Sequence, residues 1–207
     1  MARLISAESP DALETAIEAL TSGLLVGIPT ETVYGVCALP NDEPVERLIA
    51  AKQRSNEKGI QLLVDSLEQV RSLAIVTAAA ERLAELFWPG GMTIVLDRRP
   101  DVALTPLLGG GRTTLGLRLP DHDVPRGLAR RLGPIAASSA NVSGQPDATT
   151  APLVELALGD ELELILDDGP VRGGTPSTVV DCSDASVPVR ILREGAISAR
   201  DIASALR

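Results

Sequence analysis

Short apolar runs of strand length alternate with helical segments along nearly the whole chain, and no other feature narrows its fold as much. Leu24–Val26, Ile60–Val64, Met92–Leu96, Thr114–Leu119 and Pro134–Ser138 read as strands, as do Leu162–Leu166, Thr178–Asp181 and Val189–Leu192. Between them lie helical patterns. The first opens at Ser9-Pro10-Asp11 with Ser9 as its N-cap, carries the stripe Leu13, Ile17 and Leu20, and ends at Gly23. A second begins near Pro44 and runs out around Lys52-Gln53-Arg54. Others span Leu67–Leu73, Ala78–Phe87, Val124–Leu132, Leu153–Leu158 and Ser198–Leu206. Such alternation, with no linker or repeat, predicts one α/β domain over residues 1–207. It becomes irregular late in the chain, which predicts a mixed rather than purely parallel sheet.

Composition excludes several classes. Hydrophobic residues make up 44% of the 207, enough for a sizeable core, yet the longest apolar runs are too short to span a membrane. Acidic and polar residues arrive by Glu8, so Met1–Ile5 does not open a signal peptide, and a cytoplasmic protein is expected. Two cysteines, Cys37 and Cys182, and a single histidine, His122, cannot make a structural zinc site of the usual kind. Both cysteines are expected as small buried apolar residues. The net charge of −9 and only three aromatic residues, Tyr34, Phe87 and Trp88, argue against a broad RNA-binding face.

Several segments carry candidate chemistry. Val26-Gly27-Ile28-Pro29-Thr30-Glu31-Thr32-Val33-Tyr34-Gly35 is an apolar strand that breaks at a proline into small polar residues. That places hydroxyls and free N–H groups at the C-terminal edge of a strand, where open α/β sheets bind ligands. Lys52-x-Arg54 sets two cations at a helix end. They either answer the helix dipole or form a phosphate clamp. Ser138-Ser139-Ala140-Asn141-x-Ser143-Gly144 follows a short strand, and Gly174-Thr175-Pro176-Ser177-Thr178 precedes one. Each is either a polar turn or an oxyanion cradle. Gly109-Gly110-Gly111 lacks the Lys-Ser/Thr pair of a phosphate loop. Arg118 interrupts an apolar strand. If it points inward it needs a partner, and a carboxylate ligand would serve. Arg193, just after Val189–Leu192, carries the same ambiguity. His122 stands at no recognisable spacing from a Ser or Cys nucleophile, so no hydrolase triad is expected.

In order and type these pieces resemble the YrdC family of threonylcarbamoyl-AMP synthases. The motifs are Pro29-Thr30-Glu31-Thr32-x-Tyr34-Gly35, Lys52-x-Arg54, Trp88-Pro89-Gly90-x-x-Thr93 and Gly116-Leu117-Arg118-Leu119-Pro120-x-His122. Pro134-x-x-Ala137-Ser138-Ser139-Ala140-Asn141-x-Ser143-Gly144, Pro176-Ser177-Thr178-Val179-Val180-Asp181 and Arg193-x-Gly195 complete the set. The resemblance implies a twisted mixed β-sheet flanked by helices around a central pocket. It implies synthesis of L-threonylcarbamoyl-AMP from L-threonine, bicarbonate and ATP with release of pyrophosphate, magnesium accompanying the nucleotide. A separate transferase complex would then modify tRNA.

The same resemblance implies a catalytic group of Lys52, Arg54, Ser139 and Asn141. It implies threonine contacts from Thr30, Lys58, Arg118, Ser138 and Ser177, and ATP contacts from Arg54, Thr114, Ser139, Asn141 and Arg193. Departures from the family pattern are Gly91-Met92 where Pro-Leu is usual, Gly116 for Ala, Gly59 for Pro and Ser138 for Thr. None removes a charged group. The length and the end shortly after Arg193-x-Gly195 resemble the short form of the family, and two cysteines argue against its hydrogenase-maturation branch. A non-catalytic nucleotide- or RNA-binding module on the same fold is the alternative reading, and the net charge counts against it.

Overall fold

The computed structural model describes residues 1–207. In chain order its strands are β1 (Arg3–Ser6), β2 (Val26–Ile28), β3 (Gly35–Ala38), β4 (Gln61–Leu63) and β5 (Met92–Asp97). They continue with β6 (Thr114–Arg118), β7 (Ile135–Ser139), β8 (Leu164–Asp167), β9 (Thr178–Asp181) and β10 (Arg190–Arg193). The helices are α1 (Ala12–Thr21), α2 (Asp42–Ala51), α3 (Leu67–Leu73), α4 (Ala78–Phe87), α5 (Asp123–Leu132), α6 (Ala151–Leu158) and α7 (Ala199–Ala205). All ten strands form one sheet in the order β1-β8-β2-β3-β7-β4-β6-β5-β9-β10. β1, β2, β4 and β5 find parallel partners in β8, β8, β6 and β9, while the β2–β3, β3–β7, β4–β7, β5–β6 and β9–β10 pairs are antiparallel. The sheet is mixed, as the irregular alternation implied. No helix is long and apolar enough to cross a membrane.

The two-residue period of the strands sorts the apolar residues into two cores. Val36, Leu62 and Ile165 point to the face carrying α2, α3, α4, α6 and α7, where Leu48, Val70, Leu83, Val154 and Ile202 meet them. Their neighbours Cys37, Leu63, Leu164 and Leu166 point to the face carrying α1 and α5, with Leu20 and Leu128. α1 and α5 thus cover the β8-β2-β3-β7-β4 part of that face. The β6-β5-β9-β10 part of the same face has no helix over it, and the candidate site lies there.

The structure departs from the sequence reading at particular points. Ser9 is not the N-cap of α1. The helix starts at Ala12 after Asp11, and Ser9 sits in a preceding turn, its N–H bonded to Ser6 O and its carbonyl accepting from Ala12 N. The first strand of the polar motif is Val26–Ile28, two residues later than Leu24–Val26. Two strands escaped the reading. β1 is an edge strand with little burial, so it lacks an apolar run. β3 is Gly-Val-Cys-Ala, small residues in the middle of the sheet, and it looked like the end of a loop. Pro106–Gly109, which takes in the first residue of the glycine run, forms a 3-10 turn. Cys37 and Cys182 are both free and buried, and burial raises both thiols, Cys182 to about 12.

Tyr34 ties the polar motif to the loop that follows β8. Its ring is fully buried, and its hydroxyl donates to Gly169 O at 2.7 Å and accepts from Asp168 N at 3.1 Å. Burial raises the phenol to about 12, so it stays protonated and keeps its donor. Tyr34→Phe leaves the packing in place but strands both backbone groups, a loss of about 1–3 kcal/mol for a buried polar group without its partner. Urea unfolding of Tyr34→Phe should show that drop, and an unchanged midpoint would contradict the role given to the hydroxyl.

Candidate active site

A cavity of about 570 Å³ opens on the uncovered face of the sheet. Its floor follows the strand period. Thr93 and Val95 of β5, Thr114, Gly116 and Arg118 of β6, and Val179 and Asp181 of β9 line it, whereas the intervening Ile94, Leu115, Leu117 and Val180 belong to the opposite core. The end of β7, from Ala137 to Ser139, closes one side, and β10 forms the lip opposite. Five arginines reach the cavity, Arg54, Arg112, Arg118, Arg190 and Arg193, against one acid, Asp181, which is held by Arg190 at 2.6 Å. A chain of net charge −9 therefore contains one strongly positive cavity. Its volume is of the size that small-molecule sites have.

Lys52 and Arg54 part company at the end of α2. Lys52 is the C-cap, and Gln53 has φ +49°, the left-handed conformation that commonly ends a helix but is costly for a residue with a side chain. This turn sends the two cations in different directions. Lys52 is buried, and its three ammonium donors go to Ser139 O, Asn141 O and Asn141 Oδ1. Burial first, and the neighbouring Arg54 charge second, pull that ammonium down to about 8, with Asp147 opposing. Arg54 lines the cavity, with Nε donating to Lys58 O at 3.2 Å and Nη2 to Gly59 O at 2.8 Å. Burial and the charge of Arg193 lower its pKa, and burial likewise lowers that of Arg193. Two partly desolvated guanidiniums that repel each other across a cavity favour an anion between them.

The loop Arg54 hangs on is fitted closely to its neighbour. A Cβ at Gly59 would stand 2.9 Å from Leu108 O, and one at Gly110 would stand 2.4 Å from Glu57 O. Gly110 also has φ +60°. Glycine at both places lets the 54–59 and 105–112 loops pack as one wall, from which Arg112 extends with no side-chain bond of its own. The serine–asparagine segment is pinned from below. Ser139 Oγ donates to Asn141 Oδ1 at 2.6 Å, Asn141 Nδ2 donates to Gln145 O at 2.6 Å, and Ser143 N donates to Lys52 O at 3.0 Å.

Arg118 points inward, and the chain itself supplies partners for part of its guanidinium. Its side chain is 3% exposed, with Nη2 bonded to Glu31 Oε1 at 2.6 Å and Thr32 Oγ1 at 2.9 Å, and Nε to Gly90 O at 3.1 Å. On the next wall Arg193 donates to Ser177 O at 2.6 Å, and Ser177 Oγ lies 2.9 Å from Thr93 Oγ1, which donates to Gln61 Oε1 at 2.7 Å.

Of the residues singled out in the sequence, Arg54, Thr114, Arg118, Ser138, Ser139, Ser177 and Arg193 come together around this cavity. Four do not line it. Lys52 and Asn141 lie behind the wall, holding Ser139. Lys58 is exposed on its loop and meets Arg54 only through its carbonyl. Thr30 spends its hydroxyl inside its own turn, on Val33 O at 2.6 Å and Thr32 Oγ1 at 2.9 Å, and lines a second cavity beside His122. Residues to which the sequence reading gives no site role are Glu31, Gln61, Thr93 and Arg112, while Thr32 enters it only as a hydroxyl beside that of Thr30. Gln61 carried a signal as the one polar residue of Ile60–Val64, and Glu31 and Thr32 sat inside a motif already singled out. Arg112 carried none. His122 caps α5, its Nδ1 accepting from Val124 N.

The family model Sua5_yciO_yrdC, described as telomere recombination, matches residues 18–195. The chain belongs to the Sua5/YciO/YrdC family. It is 37% identical to the putative threonylcarbamoyl-AMP synthase of Mycobacterium tuberculosis (strain H37Rv) over 194 residues, which are 93% of this chain and 88% of that protein. It is 38% identical to the threonylcarbamoyl-AMP synthase of Bacillus subtilis, covering 86% of this chain but 51% of that longer one. Among solved structures, P. abyssi Sua5 complexed with L-threonine superposes with a TM-score of 0.91 at 33% identity, over 100% of this chain and 61% of that one. E. coli YciO, at 24% identity and a TM-score of 0.85, shares the fold.

The position of Lys52 yields a test of its own. Lys52→Met takes a donor from three oxygens; Asn141 Oδ1 keeps Ser139 Oγ, and the Ser139 and Asn141 backbone carbonyls lose a bond, at about 1–3 kcal/mol for each left buried without a partner. It should lower stability in urea and loosen Ser139. In the parent, loss of a proton above about pH 8 leaves an amine with two donors for three acceptors. Any activity that depends on Ser139 should therefore decline as pH rises through that value. A flat profile to pH 9.5 would contradict this.

Proposed function

We propose that this chain is a threonylcarbamoyl-AMP synthase, which joins L-threonine, bicarbonate and ATP into L-threonylcarbamoyl-AMP and releases pyrophosphate. The observation that carries the reading is the arginine-lined cavity, set in a fold that matches a relative complexed with L-threonine and in a chain 33–38% identical to proteins named for this activity. In this reading the neutral threonine amine forms a bond to the bicarbonate carbon with loss of water to give a carbamate, and a carbamate oxygen attacks the α-phosphorus. The bond to the pyrophosphate oxygen breaks. A carbamate is already an anionic nucleophile, so positioning and charge neutralisation are what the walls must supply.

Arg118 suits the threonine carboxylate, with Ser138 and Ser177 nearby. Arg54 and Arg193 suit the phosphates, and Ser139 and Thr114 offer hydroxyls between the two ends. Lys52 and Asn141 act by holding Ser139. Thr30 shapes the turn that carries Thr32. Lys58 joins the threonine side only by swinging in from its exposed loop. A magnesium ion arriving with the nucleotide would keep phosphate and water oxygens as ligands. The cavity's one carboxylate is engaged by Arg190 and Ser183, and no group of three acidic, histidine or cysteine side chains is present. The product would pass to a tRNA-modifying transferase complex. With a net charge of −9 this chain is expected to bind tRNA weakly alone, and submicromolar binding at physiological salt would contradict that.

Pyrophosphate release from ATP should require both L-threonine and bicarbonate, and equal turnover without threonine would overturn the reading. Arg54→Ala should lower the rate at least about tenfold, since a charged hydrogen bond is worth roughly 1.5–3 kcal/mol. Arg54→Lys should be nearly as poor, because one ammonium cannot span the Lys58 and Gly59 carbonyls and a phosphate together. Full activity in Arg54→Lys would remove Arg54 from the phosphate contacts.

A further inference from the structure

We propose that Glu31 is a positioning residue for the amino-acid substrate: its carboxylate locks the Arg118 guanidinium so that Nη1 stays open to the cavity. The inference rests on the synthase reading of this site. A guanidinium has five N–H donors in a rigid plane. In Arg118 three are committed, one from Nε to Gly90 O and two from Nη2 to Glu31 Oε1 and Thr32 Oγ1. The two on Nη1 have no partner in the chain, and Arg118 lines the cavity. Nε and Nη2 are therefore tied down, and the two N–H groups of Nη1 remain for an anion in the cavity. A carboxylate oxygen is a ligand that such a charged donor holds strongly.

Glu31 is built for this task and no other visible one. Its side chain is 13% exposed and does not line the cavity. Oε1 is spent on Arg118, while Oε2 is enclosed and has no donor. A buried carboxylate oxygen left without a donor is unfavourable, so this carboxylate is not placed for stability alone. Its backbone is also anchored. Glu31 O accepts from Gly173 N at 3.0 Å and Thr32 O from Gly174 N at 2.7 Å. A Cβ at Gly173 would stand 2.9 Å from Glu31 O, so the 173–174 loop lies tight against the turn. Glu31 is thus held on a rigid support, and it in turn compensates a buried guanidinium while the cavity is empty.

The test compares Glu31→Gln and Glu31→Asp with the parent. Gln keeps an acceptor but loses the charge, and Asp keeps the charge on a shorter arm. Glu31→Gln is expected to raise KM for L-threonine at least about tenfold while KM for ATP changes less than about threefold, and Glu31→Asp should recover part of the loss. An unchanged KM for threonine overturns the proposal. A lowered one also overturns it, since Glu31 would then compete with the substrate for Arg118. Equal losses for threonine and ATP would mark a general disturbance and count against it as well. A second arm needs no substrate: the crystal structure of Glu31→Gln, or of Glu31→Ala. An Arg118 guanidinium displaced from Gly90 O and Thr32 Oγ1 supports the lock, and one left in place refutes it. If the parent shows no threonine-dependent turnover, the synthase reading fails, and this second arm still decides the role of Glu31.

Discussion

A buried ammonium surrounded by three carbonyl oxygens holds the site together. Lys52 caps the end of α2, Ser139 ends β7 and Asn141 follows it, so the contact joins segments 87 and 89 residues apart in the chain. Backbone bonds from Ala140 N to Tyr34 O and from Ser143 N to Lys52 O fasten the same junction on either side. Everything that meets there is at the end of a secondary-structure element, where backbone groups have no partner within the element. A cation with three donors satisfies several of them at once. The cost is a desolvated charge, which is why the ammonium titrates near 8.

Around that junction the arginines divide by how they are restrained. Arg118 is buried and tied on three donors. Arg193 is tied to the Ser177 carbonyl, and Arg54 to two loop carbonyls. Each keeps part of its fork for the cavity. Pre-oriented donors in a partly desolvated space stabilise developing charge with little reorganisation, which suits a reaction between an anionic carbamate and a phosphate ester. Acidic residues on the rest of the surface give the chain its negative balance, so the positive cavity is local.

The α/β class and the mixed sheet were legible because strand and helix periods survive in the apolar pattern. β1 and β3 were not, since an exposed edge strand and a strand of small residues carry little of that pattern. The motifs located the cavity, and seven of the singled-out residues line it. Roles within the motifs were harder to read. Spacing shows that Lys52 and Arg54 lie two residues apart, but not that a left-handed Gln53 turns one into the core and the other into the cavity. Likewise it shows an inward arginine at 118 in want of a carboxylate, but not that Glu31, far away in sequence, supplies it. Thr30 and Thr32 look equivalent in the motif, and only the turn geometry gives Arg118 to Thr32.

A crystal structure with L-threonine and a non-hydrolysable ATP analogue tests this account most directly. The account predicts a threonine carboxylate oxygen on Nη1 of Arg118 and the phosphates between Arg54 and Arg193, with Lys52 still bound to Ser139 and Asn141. Phosphates on Lys52, or threonine in the cavity beside His122 with Arg118 unoccupied, would contradict it.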